Sequence, residues 1–200
     1  MHSDDLMKVA EEIRSCKLCE LSQSRINPVP GEGAEDAEIM FIGEGPGAEE
    51  DRQGRPFVGA AGKLLNEFLK NAGLQRDSVF ITNVVKCRPP GNRRPTYKER
   101  ESCKPYLQRQ IELIKPKIIC LLGNTAVQTM LGRNSVSSVH NRLVEKDGLR
   151  FIATYHPAAA IYNPQLKTII QSDISRLKVE LEKLKSSRKE VKLHEFFTEC

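Results

Sequence analysis

Four short apolar runs constrain this chain more than any other feature: residues 39–42, 79–85, 117–122 and 151–155. Each is of strand length, and helical spacing fills the gaps between them. Residues 63–69 carry such spacing and lead to Gly73, a helix stop. Thr96 and Glu99 form a capping-box pattern for a helix that reaches about Lys115 and ends at Pro116. Gly123-Asn124-Thr125 opens a short helix closed by Gly132, and residues 145–148 read as a turn before the fourth run. Asn163 and Pro164 suit the start of a last helix carrying Ile170, Ile174, Leu177, Leu181 and Leu184. Near the N-terminus, residues 4–15 read as a helix capped by Ser3. This alternation predicts an α/β fold, a three-layer α/β/α sandwich around a four-stranded parallel sheet. Residues 1–185 are expected to form one domain, and the protein to be a monomer.

The longest gap between a strand and its helix is residues 43–62, rich in glycine and acid. In open parallel sheets the loops after the strands form the binding crevice, so this loop is the first candidate site. Gly43, Gly45 and Ala48 match the dinucleotide fingerprint. Three features oppose that reading. Pro46 removes an N–H from the phosphate cradle, Glu49, Glu50 and Asp51 would repel a pyrophosphate, and the acidic ribose contact is missing. The same sheet edge should receive Glu44, Asn83 at the end of the second run and His156 after the fourth, with the aromatic Phe57 in the loop. Asn83 is polar inside an apolar run, which is costly unless its amide finds a partner in backbone or ligand.

Charge is uneven although the net value is only +5. Residues 32–55 hold eight acids and two bases, whereas residues 86–109 hold eight bases and two acids. An acidic pocket loop beside a basic segment suits a polyanion that presents a neutral group to the pocket. Lys86, Arg88, Arg93 and Arg94 are the candidate phosphate contacts. The start of the chain is acidic without an apolar signal core, and no run is long enough to span a bilayer, so a soluble, cytoplasmic protein without membrane contact is expected. In that compartment Cys16-x-x-Cys19 with Cys87 and Cys103 reads as a metal or redox site, and the spacing suits zinc or a [4Fe–4S] cluster equally. Cys120 sits inside an apolar run and reads as core.

Gly43-Glu-Gly-Pro-Gly47, the Gly-x-Pro-Phe-Val-Gly-x-Ala-Gly segment ending at Gly62, Thr82-Asn-x-x-Lys-Cys-Arg-Pro-Pro90 and Tyr155-His-Pro-Ala-Ala159 together resemble the family 4, iron–sulfur uracil-DNA glycosylases. The resemblance covers roughly residues 10–180, in the family's motif order. It implies a uracil-DNA glycosylase-like fold and a DNA repair enzyme that hydrolyses the N-glycosidic bond of uracil left by cytosine deamination. The substrate would be uracil-containing DNA, single- or double-stranded. It also implies a [4Fe–4S] cluster on Cys16, Cys19, Cys87 and Cys103. Phe57 would stack on the flipped base, the Asn83 amide would read its N3–H and O4, and His156 would donate to O2 as negative charge develops there. Backbone around Glu44 and Gly45 would assist, with Glu44 the candidate general base. Ile161 or Tyr162 would wedge into the vacated stack. Against the family 1 pattern Gly-Gln-Asp-Pro-Tyr, Gly45 replaces the water-activating aspartate and Gly47 the tyrosine that excludes the thymine methyl.

Two other readings keep part of this pattern: a non-catalytic iron–sulfur DNA-binding module, and a family 5-like glycosylase of broader range. Residues 186–200 are expected to be a flexible tail, in which Glu190-Val-Lys-Leu193-His-Glu-Phe196-Phe197 resembles the box by which repair enzymes dock on a sliding clamp. One helical turn would gather Leu193, Phe196 and Phe197 into an apolar plug.

Overall fold

The structure, a computed structural model, describes residues 5–198, with side chains through residue 186. Helix α1 (Leu6–Ser15) is capped by Asp5, whose carboxylate accepts from the Lys8 N–H at 2.7 Å; Ser3, the expected cap, lies outside the described residues. A short helix α2 (Leu21–Ser24) and the two-residue strand β1 (Glu32–Gly33) follow. Strand β2 (Ile39–Gly43) opens the repeating unit, and the long loop after it contains a short helix, α3 (Ala48–Gln53), before α4 (Ala60–Asn71). Then come β3 (Phe80–Asn83), α5 (Tyr97–Ile114), β4 (Ile118–Leu122) and α6 (Asn124–Leu131). The hairpin β5 (Leu143–Lys146) and β6 (Leu149–Thr154) leads into α7 (Ala159–Tyr162) and α8 (Leu166–Thr198).

The sheet has six strands in the order β1-β3-β2-β4-β6-β5. The central four are parallel, as the apolar runs predict, and an antiparallel strand is added at each edge. Neither edge strand announces itself. Strand β1 is too short for any periodicity, and β5 is half polar, with Leu143 and Val144 half-buried and Glu145 and Lys146 exposed. The turn between β5 and β6 is Asp147-Gly148, both at positive φ (51° and 75°), the geometry that matches the twist of a tight hairpin.

Alternation along the strands divides the core into two layers. Met40, Ile42, Ile119 and Leu121 face α1, α5 and α6, where they meet Val9, Ile13, Leu107 and Val127. Ile39, Phe41, Ile118 and Leu122 face α4 and α8, where they meet Leu65, Phe68, Ile170 and Ile174. Cys120 is fully buried in the second layer, as core. Helix α8 continues without a break through residue 185, a stretch of Lys, Glu and Leu with good helix propensity. The side chains of Leu193, Phe196 and Phe197 lie outside the described residues, as does Cys200.

The capping box of α5 forms as expected. Thr96 Oγ1 accepts from the Glu99 N–H at 3.2 Å, and Glu99 accepts from the Thr96 N–H at 2.7 Å. Glu99 also takes both arms of the Arg93 guanidinium at 2.6 and 2.8 Å, and that bonding holds its carboxyl down to about 2. Because the folded pKa lies below the unfolded value, this contribution is present above the ordinary glutamate range and is lost as pH falls through it towards 2. Glu99→Gln should therefore cost about 1–2 kcal/mol at neutral pH. In urea unfolding, the gap to the parent protein should close as pH falls below about 4.3.

Candidate active site

Hydrogen bonds between parallel strands continue past the strand ends and bring the two main loops together. Gly43 pairs with Asn83 in the last register of β2 and β3. Beyond it, the Val84 N–H donates to the Gly43 carbonyl at 2.9 Å and the Val85 N–H to the Glu44 carbonyl at 3.2 Å. A cavity of about 210 Å³ opens over this junction, walled by Glu44, Gly45, Phe57, Asn83, Asn92 and His156. The structure thus gathers the expected pocket residues at the C-terminal edge of the sheet.

Asn83 is 1% exposed, and its Oδ1 has no hydrogen-bond partner in the protein. A buried amide oxygen left in that state costs about 1–3 kcal/mol. It faces the cavity, where a ligand N–H would satisfy it. Gly43 makes room for it, since a Cβ there would lie 2.4 Å from Asn83 Oδ1 and 2.6 Å from the Phe57 ring.

Phe57 adopts a left-handed backbone, φ 51°, unusual for a bulky residue. Three neighbours hold it there. Arg76 donates to the Pro56 carbonyl at 2.6 Å and to the Phe57 carbonyl at 3.4 Å. Gly62 closes from beneath, where a Cβ would stand 1.9 Å from the Phe57 carbonyl oxygen. Glu50 fastens both ends of the loop with one carboxylate, accepting from the Val58 and Gly59 N–H groups at 2.9 and 2.8 Å and from the Gly47 N–H at 3.1 Å. The acid run that opposed a phosphate is therefore largely consumed by structure. Asp51 is buried and accepts from the Ile26 N–H at 2.9 Å, and Glu49 pairs with Arg52.

His156 lies against Phe57, with ring centroids 5.6 Å apart and planes 30° from parallel. Its Nδ1 accepts from the Ala158 N–H at 3.2 Å, which assigns the proton of the neutral ring to Nε2. Although the residue keeps some exposure at the cavity mouth, burial of the ring pulls its pKa down to about 4. Glu44 accepts from the Thr125 hydroxyl at the start of α6.

The basic segment departs from expectation. Lys86 is 1% exposed and cannot reach a phosphate. Its ammonium is turned inward to Thr82, Asn83 and Gln110, and burial lowers its pKa to about 8. The apolar run before it carries the chain into the core, which composition alone does not reveal. Arg93 is engaged by Glu99. Arg94 is exposed, and half-buried Arg88 bonds Asn92 Oδ1 at 2.8 Å. Ile161 and Tyr162, 46% and 88% exposed, stand on α7 just beyond His156.

Below the pocket, Cys16, Cys19, Cys87 and Cys103 line one small apolar cavity with Ile13 and Tyr106. Arg25 donates to Cys87 Sγ at 2.9 Å, and the Lys86 N–H to Cys103 Sγ at 3.3 Å. Burial raises the thiols of Cys19, Cys87 and Cys103, the last to about 11. Among the described residues, no three His, Cys, Asp or Glu side chains are grouped to hold a single metal ion. The four cysteines instead line one shared cavity, with N–H donors supplied for two of the sulfurs.

Arg76 and Thr125 are site residues that motif reading passes over, and Glu50 enters it only as one acid of a run. Glu50 makes only half of a capping box at the start of α3, accepting from the Gly47 N–H while glycine has no side chain to return the bond, so the Ser/Thr-x-x-Glu signal is missing.

Comparison with known proteins gives the family of the chain. The profile of the Uracil DNA glycosylase superfamily matches residues 30–178. A type-4 uracil-DNA glycosylase of Sulfurisphaera tokodaii is 52% identical, over 88% of this chain and 84% of its own length. One from Archaeoglobus fulgidus is 48% identical, over 87% of this chain and 92% of its own. A type-5 uracil-DNA glycosylase of Pyrobaculum aerophilum is 33% identical, over 71% of this chain and 70% of its own.

The His156 environment makes a spectroscopic prediction. Its imidazole should stay neutral, protonated on Nε2, down to about pH 5 in nitrogen NMR, whereas an unperturbed ring would charge near 6.5. Its folded pKa is the lower one, so stability should fall as pH drops from 6.5 towards 4. Replacing His156 with Asn should remove that part of the acid sensitivity.

Proposed function

The chain belongs to the uracil-DNA glycosylase superfamily, and from that premise we propose that the pocket over Gly43 and Asn83 receives a uracil flipped out of DNA. The protein is a DNA repair enzyme, a glycosylase that hydrolyses the N-glycosidic bond. The observation that carries the pocket assignment is Asn83 Oδ1, buried and without a partner. Uracil N3–H is the donor it lacks, and the amide N–H₂ of the same side chain suits uracil O4. Cytosine presents an acceptor at N3 and a donor at position 4, so it meets the same amide with both polarities reversed. Phe57 supplies the stacking face.

Cleavage of the bond between the sugar C1′ and base N1 sends the electron pair to the base, and much of the charge collects on O2. His156 Nε2–H is the donor in this reading. A neutral imidazole is suited to the task, because it needs no proton from solvent before each turnover. Water then bonds to C1′ and loses a proton, for which Glu44 is the candidate acceptor, with one carboxylate oxygen held by Thr125. Gly45 stands where the family 1 pattern has its water-activating aspartate and is packed against Val85, so it brings no carboxylate, and stabilising the leaving base carries more of the catalysis than water activation. Arg94 and Arg88 are the proposed phosphate contacts, and Ile161 or Tyr162 the proposed wedge.

The four-cysteine cavity suits a [4Fe–4S] cluster. The donor set is all thiol, the lining is apolar, and Arg25 and the Lys86 N–H offer hydrogen bonds to sulfur. Bound, the group would supply iron–thiolate bonds that join the turn after α1, the loop after β3 and α5. That assigns it a structural task. Residues 1–185 are read as the catalytic domain, working as a monomer in the cytoplasm. Among the described residues, no helix is long and apolar enough to cross a membrane. The spacing of Leu193, Phe196 and Phe197 supports clamp docking as part of the same proposal.

A binding module without activity needs the cysteines and arginines but not the convergence of Phe57, Asn83 and His156. A type-5-like range is less favoured by the similarities above. Uracil release from a uracil-containing oligonucleotide tests the proposal. His156→Ala should be slower by about a hundredfold or more in single turnover. A parent protein that binds the oligonucleotide and releases no uracil would instead establish the binding module.

The metal assignment has its own check. Protein purified without oxygen should be brown and contain about four irons per chain. Cys120→Ser should keep the colour, while loss of Cys87 or Cys103 should remove it and lower the melting temperature. A colourless protein with one zinc would exclude the cluster.

A further inference from the structure

Lys86 is the most conspicuous group that the mechanism leaves unused. It is a fully buried cation, and its ammonium donates to three neutral oxygens: Thr82 Oγ1 at 2.6 Å, the Asn83 carbonyl at 2.9 Å and Gln110 Oε1 at 2.7 Å. Burying a cation among neutral partners is expensive, and a well-packed apolar side chain of similar length would cost less. Its partners are themselves tied down. Gln110, in the middle of α5, donates to the Pro30 carbonyl at 2.8 Å, and the Thr82 hydroxyl reaches the same carbonyl at 2.9 Å. All three donor positions of the ammonium are filled, so Lys86 is a rigid strut between α5 and the end of β3.

The strut ends on the Asn83 carbonyl. The Asn83 side-chain oxygen has no protein partner to orient it, so the direction of the carboxamide depends on the backbone that carries it. The Lys86–Asn83 bond closes residues 83–86 into a turn. The same turn sends its Val84 and Val85 N–H groups to Gly43 and Glu44 across the pocket floor. We propose that Lys86 is a positioning residue for base recognition: through its bond to the Asn83 carbonyl it aims the Asn83 carboxamide at the extruded base. This rests on Asn83 reading the base, as argued above.

A double-substitution cycle tests it by single-turnover uracil release, with binding to abasic-site DNA measured in parallel. Lys86→Met keeps the length and removes the donors. The expected result is a rate lower by about tenfold to a hundredfold with abasic-site binding unchanged, the scale of a small misplacement of a reactive contact. In an Asn83→Ala background the same substitution should cost little more, because the group it positions is gone. Thr82→Val, an isosteric loss of one anchor, should show the same pattern more weakly and serves if Lys86→Met fails to fold. Equal losses in both backgrounds, or no loss in either, would overturn the positioning role alone. An Asn83→Ala variant as fast as the parent would overturn the reading of Asn83, and the role of Lys86 with it.

Discussion

The pairing of β2 with β3 beyond their regular ends is the constraint on which the rest depends. Parallel ladders place strand ends side by side, and here two further N–H bonds extend the ladder into the loops. Gly43 and Glu44 from one strand and Asn83 from the next therefore share a rigid floor. A loop of about twenty residues would otherwise lose much of its binding energy in ordering itself. Gly43 is tied to this arrangement by sterics, since any side chain would fill the space of the Asn83 amide and the Phe57 ring.

Above that floor the pocket keeps two unfavourable features in place. One is the unpartnered Asn83 oxygen, and the other is the left-handed Phe57 backbone. Each costs on the order of 1–3 kcal/mol. The Phe57 backbone persists because neighbours over-determine it: Glu50 with three backbone donors, Arg76 with two carbonyls, and Gly62 by close approach; the Asn83 amide is carried by a backbone paired to β2. Neither feature serves folding. Both fit a site shaped in advance for a flat ligand that brings its own donor.

The parallel core and the convergence of Glu44, Asn83 and His156 were readable in the sequence, because hydrophobic period and strand ends obey local rules. Cys120 as core and the α5 capping box followed from the same rules. What escaped depended on tertiary contacts. Edge strands β1 and β5 are too short or too polar to carry a period. Lys86 counted as one more base in a basic segment, yet the valines before it draw it inside. The acids at 49–51 looked like ligand-facing charge, yet Glu50 and Asp51 accept backbone hydrogen bonds. Composition counts charges, and only packing shows which of them reach solvent.

The same distinction bears on how the chemistry is divided. Of the charged groups near the pocket, few remain available to act. Arg93 answers Glu99, Glu50 answers the loop, and Lys86 answers β3 and α5. His156 is held neutral by burial, with one nitrogen occupied by the Ala158 N–H and the other left to donate. In the proposed reading, such a site does not rely on strong charges to pull a proton from water. It relies on fixed dipoles aimed where charge develops, which are already oriented before the bond breaks and so cost little reorganisation. In the reading proposed above, a pocket with glycine at position 45 and a neutral imidazole at position 156 acts by making uracil a better leaving group.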